Sequence, residues 1–230
     1  KRARAAYSPI ADRYCIVWQD GRSLQSWDIY GQLLSRGGNL VGNALPVSTS
    51  GLFEGMPVVA SQRGVSQFMV AFDRDFTGAG QDQIYGCSVS GGGAVSSAFV
   101  IRQYHEWRTS PAIEAGSAGY LVAWSDHWPV EQPDIQAQRI RTNTALQGPL
   151  IVVIGGRKGQ QGPSVAYGSA RNEYLVVWQD SRTGSDYDVY GRRLSADGGW
   201  VGQELIIATD GELKNYPDVA YNQTSDEYLV

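Results

Sequence analysis

Tyr174-Leu175-Val176-Val177-Trp178 is a run of five apolar residues that returns in similar form along the whole chain. Related runs stand at residues 14–18, 68–72, 120–124 and 228–230. The first residues of the successive runs are 54, 52, 54 and 54 positions apart. An apolar run of this length without polar alternation is typical of a β-strand that is covered on both faces. The spacing therefore predicts one structural unit repeated along the chain.

Three more strand-like segments accompany each complete run. Asp188-Val189-Tyr190-Gly191 has counterparts at residues 28–31, 83–86 and 134–137, and a further apolar segment follows each of these. A proline then opens the next segment, at Pro57, Pro111, Pro163 and Pro217. Glycine makes up 28 of the 230 residues, and many glycines stand between the segments, where they favour turns. Four short strands per repeat of this length predict a propeller blade, since a β-sandwich gives no reason for such regularity and a β-helix has a much shorter period.

The repeat predicts an all-β chain that forms a single β-propeller domain with four-stranded blades. We place complete blades at about residues 3–50, 56–103, 110–155 and 162–209, and the start of a fifth at 216–230. The strand opened by proline is expected to be the innermost of each blade. Because the last segment duplicates strands that the first residues already supply, we expect part of a larger ring. Further polypeptide, a partner chain or self-association would complete it.

The repeat motif also resembles a known group of proteins. Tyr174-Leu-Val-Val-Trp178-Gln-Asp180-Ser-Arg182, followed by Asp188-Val-Tyr-Gly191-Arg-Arg193, is similar to the repeats of bacterial extracellular β-propeller proteins. More loosely it resembles TolB-like and sialidase-like propellers. The resemblance covers essentially the whole chain and implies a secreted or cell-surface propeller. It implies little about activity, because most members of that group have none assigned and a fold does not define chemistry.

Composition and motifs exclude several classes of function. The net charge of −4 provides no basic field for nucleic acid, and no apolar run is long enough for a membrane span. No signal peptide stands in these residues. No P-loop or nucleophile elbow is present. We expect Cys15 to be buried and Cys87 to lie nearer the surface, with their disulfide state open.

Aspartates recur at both ends of the loop between the second and third strands. The pairs are Asp20 with Asp28, Asp126 with Asp134, and Asp180 with Asp188. The first interpretation is that these carboxylates accept backbone N–H groups and fix the turns, with Arg22 and Arg182 as local ion-pair partners. A second is calcium binding by carboxylate oxygens, although the spacing does not match an EF-hand. Acid–base catalysis is the third, and the regularity of these residues counts against it.

Residues that break the repeat predict a binding patch on the same rim. Both histidines and two of the seven tryptophans lie in two loops of the third blade. Aromatic faces stack on sugar rings or anchor a protein partner, and arginine adds a bidentate donor. Packing against a neighbouring loop is the alternative. The residues of the predicted patch are His105, Trp107, Arg108, His127 and Trp128.

These features favour an extracellular propeller without catalytic activity or cofactor that recognises a glycan or a protein through one rim. One alternative is a fragment of a propeller glycoside hydrolase or lyase with Asp75, Glu106 and Asp126 as candidate carboxylates. The other is a structural subunit that a partner chain completes.

Overall fold

The computed structural model describes residues 3–22, 26–75, 82–103, 108–127, 134–155, 159–184, 186–210 and 212–230. Within these ranges the chain forms β-strands and no helix. It therefore contains, in the same ranges, no helix of the length and apolar character that crossing a membrane requires.

The strands form four antiparallel sheets of four strands each, and the strands of a sheet neighbour one another in chain order. Blade 1 consists of β1 (Ala3–Ser8), β2 (Arg13–Asp20), β3 (Asp28–Ser35) and β4 (Leu40–Ser48). Blade 2 consists of β5 (Phe53–Ser61), β6 (Gln67–Asp75), β7 (Asp82–Ser90) and β8 (Phe99–Arg102). Blade 3 consists of β9 (Arg108–Gly116), β10 (Gly119–Asp126), β11 (Asp134–Ile140) and β12 (Leu146–Ile154). Blade 4 consists of β13 (Gln160–Gly168), β14 (Glu173–Asp180), β15 (Asp188–Ser195) and β16 (Trp200–Ala208), and a hairpin of β17 (Ala220–Asn222) and β18 (Glu227–Leu229) follows. The all-β propeller architecture is thus confirmed.

Both faces of the second strands β6, β10 and β14 are buried, which explains their apolar runs, whereas on β2 one face is only half-buried or exposed. On β6, the side chains of Phe68, Val70 and Phe72 pack in one cluster with blade 1. The intervening Met69 and Ala71 pack in another cluster with blade 3. Alternate residues of a strand point to opposite faces, so a strand between two blades needs apolar residues at every position.

A glycine and a tyrosine set the close approach of successive blades. A Cβ atom on Gly116 would collide with the hydroxyl group of Tyr174, and one on Gly168 would collide with that of Tyr228. The Tyr228 hydroxyl also donates to the carbonyl oxygen of Glu173 at 3.3 Å. The tyrosine that opens the apolar run therefore docks over the end of the preceding blade's first strand.

Two local expectations were wrong. The proline does not open the first strand, because β5 begins four residues before Pro57. The residue before the proline has a positive φ, 45° at Met56 and 56° at Tyr216, and in β5 the pairing register shifts at this point. Such a bulge accommodates a residue that cannot donate a ladder hydrogen bond. Cys87 is fully buried, because its side chain belongs to the cluster between blades 1 and 2.

Candidate functional site

One rim of the propeller collects the loops between second and third strands and the starts of the first strands. In blade 1, Asp20 on this rim accepts hydrogen bonds from the Trp18 indole at 3.0 Å and from the Arg22 backbone at 2.9 Å. The Arg22 guanidinium donates to the same carboxylate at 2.6 Å and lies 3.9 Å from the centre of the Tyr30 ring. The hydrogen bond from Arg22 and that from Trp18 hold the pKa of Asp20 well below its usual range. This carboxylate thus fixes the conformation of the turn that follows β2.

Blade 4 repeats the arrangement. Asp180 accepts from the Trp178 indole at 3.1 Å and from the Arg182 backbone at 2.9 Å. The Arg182 guanidinium lies 4.0 Å from the centre of the Tyr190 ring and also bonds Glu204. The sequence interpretation of local Asp–Arg pairs therefore describes both blades.

The other aspartates of the repeat have neighbours of their own. Asp28 accepts from the Ser26 hydroxyl at 3.2 Å, and Asp188 accepts from the Thr183 hydroxyl at 2.6 Å. Asp126 is buried and pairs in register with Asp134. In the described part of the chain, no three His, Cys, Asp or Glu side chains are grouped as a metal site would require. Calcium binding by the six repeat aspartates stays a prediction.

The predicted aromatic patch falls mostly outside the described residues, where His105, Trp107 and Trp128 lie. The backbone of Arg108 opens β9 and pairs in register with that of Asp126. His127 Nε2 lies 3.2 Å from the Thr109 hydroxyl, and burial lowers the pKa of this imidazole while Asp126 opposes the shift. The patch therefore stays a prediction.

Blade 2 departs from the repeat because an arginine replaces the aspartate at the end of the second strand. Arg74 stands on β6 where blades 1 and 4 carry Asp20 and Asp180. Within blade 2 it bonds Glu54, directly across on β5, at 2.8 Å and stacks 4.0 Å from the centre of the Tyr85 ring. Toward blade 1 it donates to the Ser48 hydroxyl at 2.8 Å. The tyrosine–guanidinium stack of blades 1 and 4 is thus kept, but the arginine now comes from the strand.

Three carboxyl groups lie on the face of this sheet that Arg74 does not occupy. Asp73 and Asp75 flank Arg74 in the strand and therefore belong to the opposite face, toward blade 3. Asp75 stands directly across from Asp82 in the strand register, and Asp73 is two residues away on the same face. We call Asp73, Asp75 and Asp82 the blade 2 carboxyl cluster.

The electrostatics of this cluster differ from those of the other blades. Burial and the negative charge of Asp82 raise the pKa of Asp73 from 3.8 to about 7, against hydrogen bonds from the backbone N–H groups of Asp73 and Gly55. Burial and the negative charge of Asp75 raise the pKa of Asp82 to about 6. Carboxyl groups with such values can exchange protons near neutral pH, as general acids and bases do.

The sequence shows Asp73, Asp75 and Asp82 as the departure of blade 2 from the aspartate repeat, but of these three it indicated only Asp75 as a candidate catalytic carboxylate. A signal was present, because Asp73 replaces the glutamine that blades 1 and 4 carry at Gln19 and Gln179. Those two glutamines bond the neighbouring chain segment, from Gln19 to the Glu54 carbonyl at 2.9 Å and from the Tyr216 backbone to Gln179 at 2.9 Å. The position of Asp73 otherwise carries a side chain that bonds the neighbouring segment. An ionisable residue there is therefore the departure from the repeat that indicates a candidate site.

No family model matches the chain, and no curated protein does. Several solved structures do match the chain. An α-L-arabinanase of Penicillium chrysogenum, complexed with arabinobiose, is 14% identical with a TM-score of 0.66, over 95% of this chain and 70% of the enzyme. An endo-arabinase from Bacteroides thetaiotaomicron is 10% identical with a TM-score of 0.63, over 96% and 85% of the two chains. The Hadza microbial sialidase Hz136 is 12% identical with a TM-score of 0.63 over 87% of this chain, which spans only 45% of that enzyme's length. At these identities the likeness establishes the fold, a β-propeller shared with glycoside hydrolases.

Proposed function

We propose that the chain is the propeller of a secreted glycoside hydrolase and that the blade 2 carboxyl cluster cleaves the glycosidic bond. The observation that carries the proposal is the raised pKa of Asp82, about 6, beside the negative charge of Asp75. A glycosidase needs one carboxyl group that keeps its proton and a second that has lost it, and neighbouring charges separate such a pair. The shared fold with arabinanases and a sialidase supports this assignment over others.

Each member of the cluster has a role in this proposal. Asp82, which is half-buried, donates the proton to the leaving oxygen, and Asp75 supplies the carboxylate as nucleophile or base. Asp73 is buried and acts as a positioning residue that is coupled to the acid, since the negative charge of Asp82 helps to raise the pKa of Asp73. Directly opposite residues of two strands are about 5 Å apart at Cβ, and diagonal ones about 7–8 Å. Carboxyl separations in glycosidases run from about 5 to 9.5 Å, so both pairings are within the required range.

The test is hydrolysis of arabinan, an aryl α-L-arabinofuranoside and an aryl sialoside by the wild-type chain and by Asp82→Asn and Asp75→Asn. Removal of a general acid or base typically costs a factor of about 10²–10⁴. The matched control is Asp197→Asn, whose side chain is 94% exposed and lies in the turn between β15 and β16. Full activity in Asp82→Asn would refute the assignment, as would a wild-type chain inactive on every substrate.

A second candidate is recognition of a glycan without hydrolysis. The repeated Asp20 and Asp180 are already engaged by arginine and tryptophan, as expected of residues that shape a rim for binding. A glycan array on the wild-type chain and on the double variant Trp107→Ala/Trp128→Ala tests this alternative. Binding that is lost in the double variant, without turnover in the wild type, would favour it over the hydrolase.

A further inference from the structure

Phe53 is an aromatic residue of blade 2 whose side chain remains in contact with solvent. It opens β5 and is 51% exposed. In the strand register it stands one residue before the partner of Arg74. The corresponding residue of blade 4 is Gly159, which stands one residue before the partner of Asp180. The repeat itself therefore does not require an aromatic ring at this place.

The strand register determines which face of the sheet carries this ring. Phe53 stands directly across from Asp75, and Asp75 stands directly across from Asp82. Directly opposed residues of antiparallel strands project to the same face. Neighbouring strands are about 4.8 Å apart, so the ring lies about one strand spacing from Asp75 and two from Asp82. We call these three side chains the blade 2 row.

The contacts of the two residues that follow Phe53 support this assignment of faces. Glu54 bonds Arg74 at 2.8 Å on the opposite face of the sheet. A Cβ atom on Gly55 would lie 2.6 Å from Asp73 Oδ1, so Gly55 leaves the space that this carboxyl group occupies. Because residues of a strand alternate between faces, Phe53 shares the face of Gly55 and therefore that of the blade 2 carboxyl cluster.

The blade 2 row is open to solvent and its aromatic end has a fixed backbone. Phe53 is exposed, and Asp75 and Asp82 are half-buried, so a ligand at the rim can contact each of them. The backbone N–H of Glu54 donates to the Trp27 carbonyl oxygen of blade 1 at 2.8 Å, which holds the start of β5 in place. An aromatic ring on an anchored backbone loses little conformational entropy when a ligand binds it.

The chemistry of the row matches that of a sugar ring. The face of an aromatic ring carries partial negative charge and attracts C–H groups such as those on one face of a sugar. Carboxylate oxygens accept hydrogen bonds from sugar hydroxyl groups. Asp75 is negatively charged, as the raised pKa of Asp82 beside it reflects, and this charge would repel an anionic sugar. A neutral sugar therefore fits the row.

We propose that Phe53 stacks on the sugar whose glycosidic bond is cleaved and that this sugar is neutral. The inference rests on the proposed function, because Asp75 and Asp82 are the carboxyl groups that would act on the stacked sugar. The aromatic ring holds the C–H face of the sugar, and the two carboxyl groups meet its polar groups. Phe53 is thus a residue that selects the substrate and does not take part in proton transfer.

The test measures sugar binding separately from hydrolysis. The full chain is titrated with L-arabinose, D-galactose and N-acetylneuraminic acid, and binding is followed by saturation-transfer NMR, which reports the sugar protons that touch the protein. We expect Phe53→Ala to bind the neutral sugar at least tenfold more weakly, whereas Phe53→Tyr, which keeps the ring face, should bind as the wild type does.

The matched control is Leu40→Ala, which removes another exposed apolar side chain. Leu40 opens β4, the outer strand of blade 1, and is 73% exposed. This variant should bind the neutral sugar as the wild type does. Urea unfolding of all variants shows whether they fold, and the midpoints should differ little because both side chains are largely in solvent.

Three results would overturn the proposal. The first is the absence of saturable binding of either neutral sugar by the wild type. The second is unchanged binding in Phe53→Ala. The third is tighter binding of N-acetylneuraminic acid than of both neutral sugars.

Failure of this inference can be distinguished from failure of the proposed hydrolase. If Phe53→Ala loses sugar binding while Asp82→Asn keeps full hydrolysis, Phe53 remains a sugar-binding residue and the catalytic assignment is wrong. If Asp82→Asn loses hydrolysis of the aryl α-L-arabinofuranoside while Phe53→Ala keeps both its KM and its sugar binding, the catalytic assignment holds and the stacking role is wrong.

Discussion

Replacing Asp73 by Asn should make the protein more stable at neutral and alkaline pH. The folded chain raises the pKa of this carboxyl from 3.8 to about 7, chiefly because it is buried. Between these two values the folded state keeps a proton that the unfolded state has released. The free energy of unfolding therefore falls as the pH rises from 3.8 to about 7, and the loss is complete above that pH.

The size of the effect follows from the same shift. One pH unit corresponds to about 1.4 kcal/mol, so a rise from 3.8 to about 7 corresponds to about 4 kcal/mol as an upper bound. Asn keeps an oxygen that can accept from the Gly55 N–H group and carries no charge to bury. We compare the free energy of unfolding of Asp73→Asn with that of the wild type. We expect this difference to favour the variant by about 2–4 kcal/mol more at pH 8 than at pH 4.

Urea unfolding of both proteins from pH 4 to pH 9 measures this gain. For a chain of this length each kcal/mol corresponds to about 2–4 °C in Tm, so thermal scans provide a second readout. Asp197→Asn is the control and should stay close to the wild type across the range, since its side chain is 94% exposed and its ion pair with Arg139, at 3.3 Å, is of the surface kind that contributes little. A stability gap that does not change with pH, or one in which Asp73→Asn becomes less stable as the pH rises, would contradict the reasoning.

Two further predictions concern packing and thiol chemistry. Gly116→Ala should destabilise the protein by about 1–3 kcal/mol, because the new methyl group collides with the Tyr174 hydroxyl; Gly184→Ala, with open space around it, should be close to neutral. Equal unfolding midpoints for the two variants would refute the docking role of this glycine. Burial raises the pKa of the thiols of both Cys15 and Cys87 to about 12, so neither should react with a disulfide reagent at pH 8 until the protein unfolds. Rapid labelling of the native protein would show that this interior opens.

The second strands show why so much of the fold can be predicted from sequence. The run Tyr174 to Trp178 is apolar at every position because its strand lies between two blades, and this requirement recurs in each repeat. Period, strand number and blade boundaries follow from it. The error at Pro57 has an equally local cause, because a bulge lets the strand begin before a residue that lacks an N–H group.

The candidate site could be predicted only in part. Asp75 was recognisable as a departure from the repeat, but its meaning depends on which face of β6 each neighbour occupies. The alternation puts Arg74 with Glu54 on one face and leaves Asp73 and Asp82 on the other without that arginine. The depth of burial, which raises the pKa of Asp73 to about 7, comes from tertiary packing and is not encoded in the local sequence.

The sequence by itself determined the repeating unit, because the covering of both strand faces and the turns between strands are local demands that recur every blade. Only the tertiary structure decided which charges meet. Glu54 and Arg74 are 20 residues apart, and Glu54 meets Ser48 through the approach of blade 1 to blade 2. Electrostatic energies depend on distance and on exclusion of water, and both are set when blades pack. The blade 2 carboxyl cluster lies within one hairpin, whereas the contact of Glu54 with Ser48 forms only where blade 1 meets blade 2.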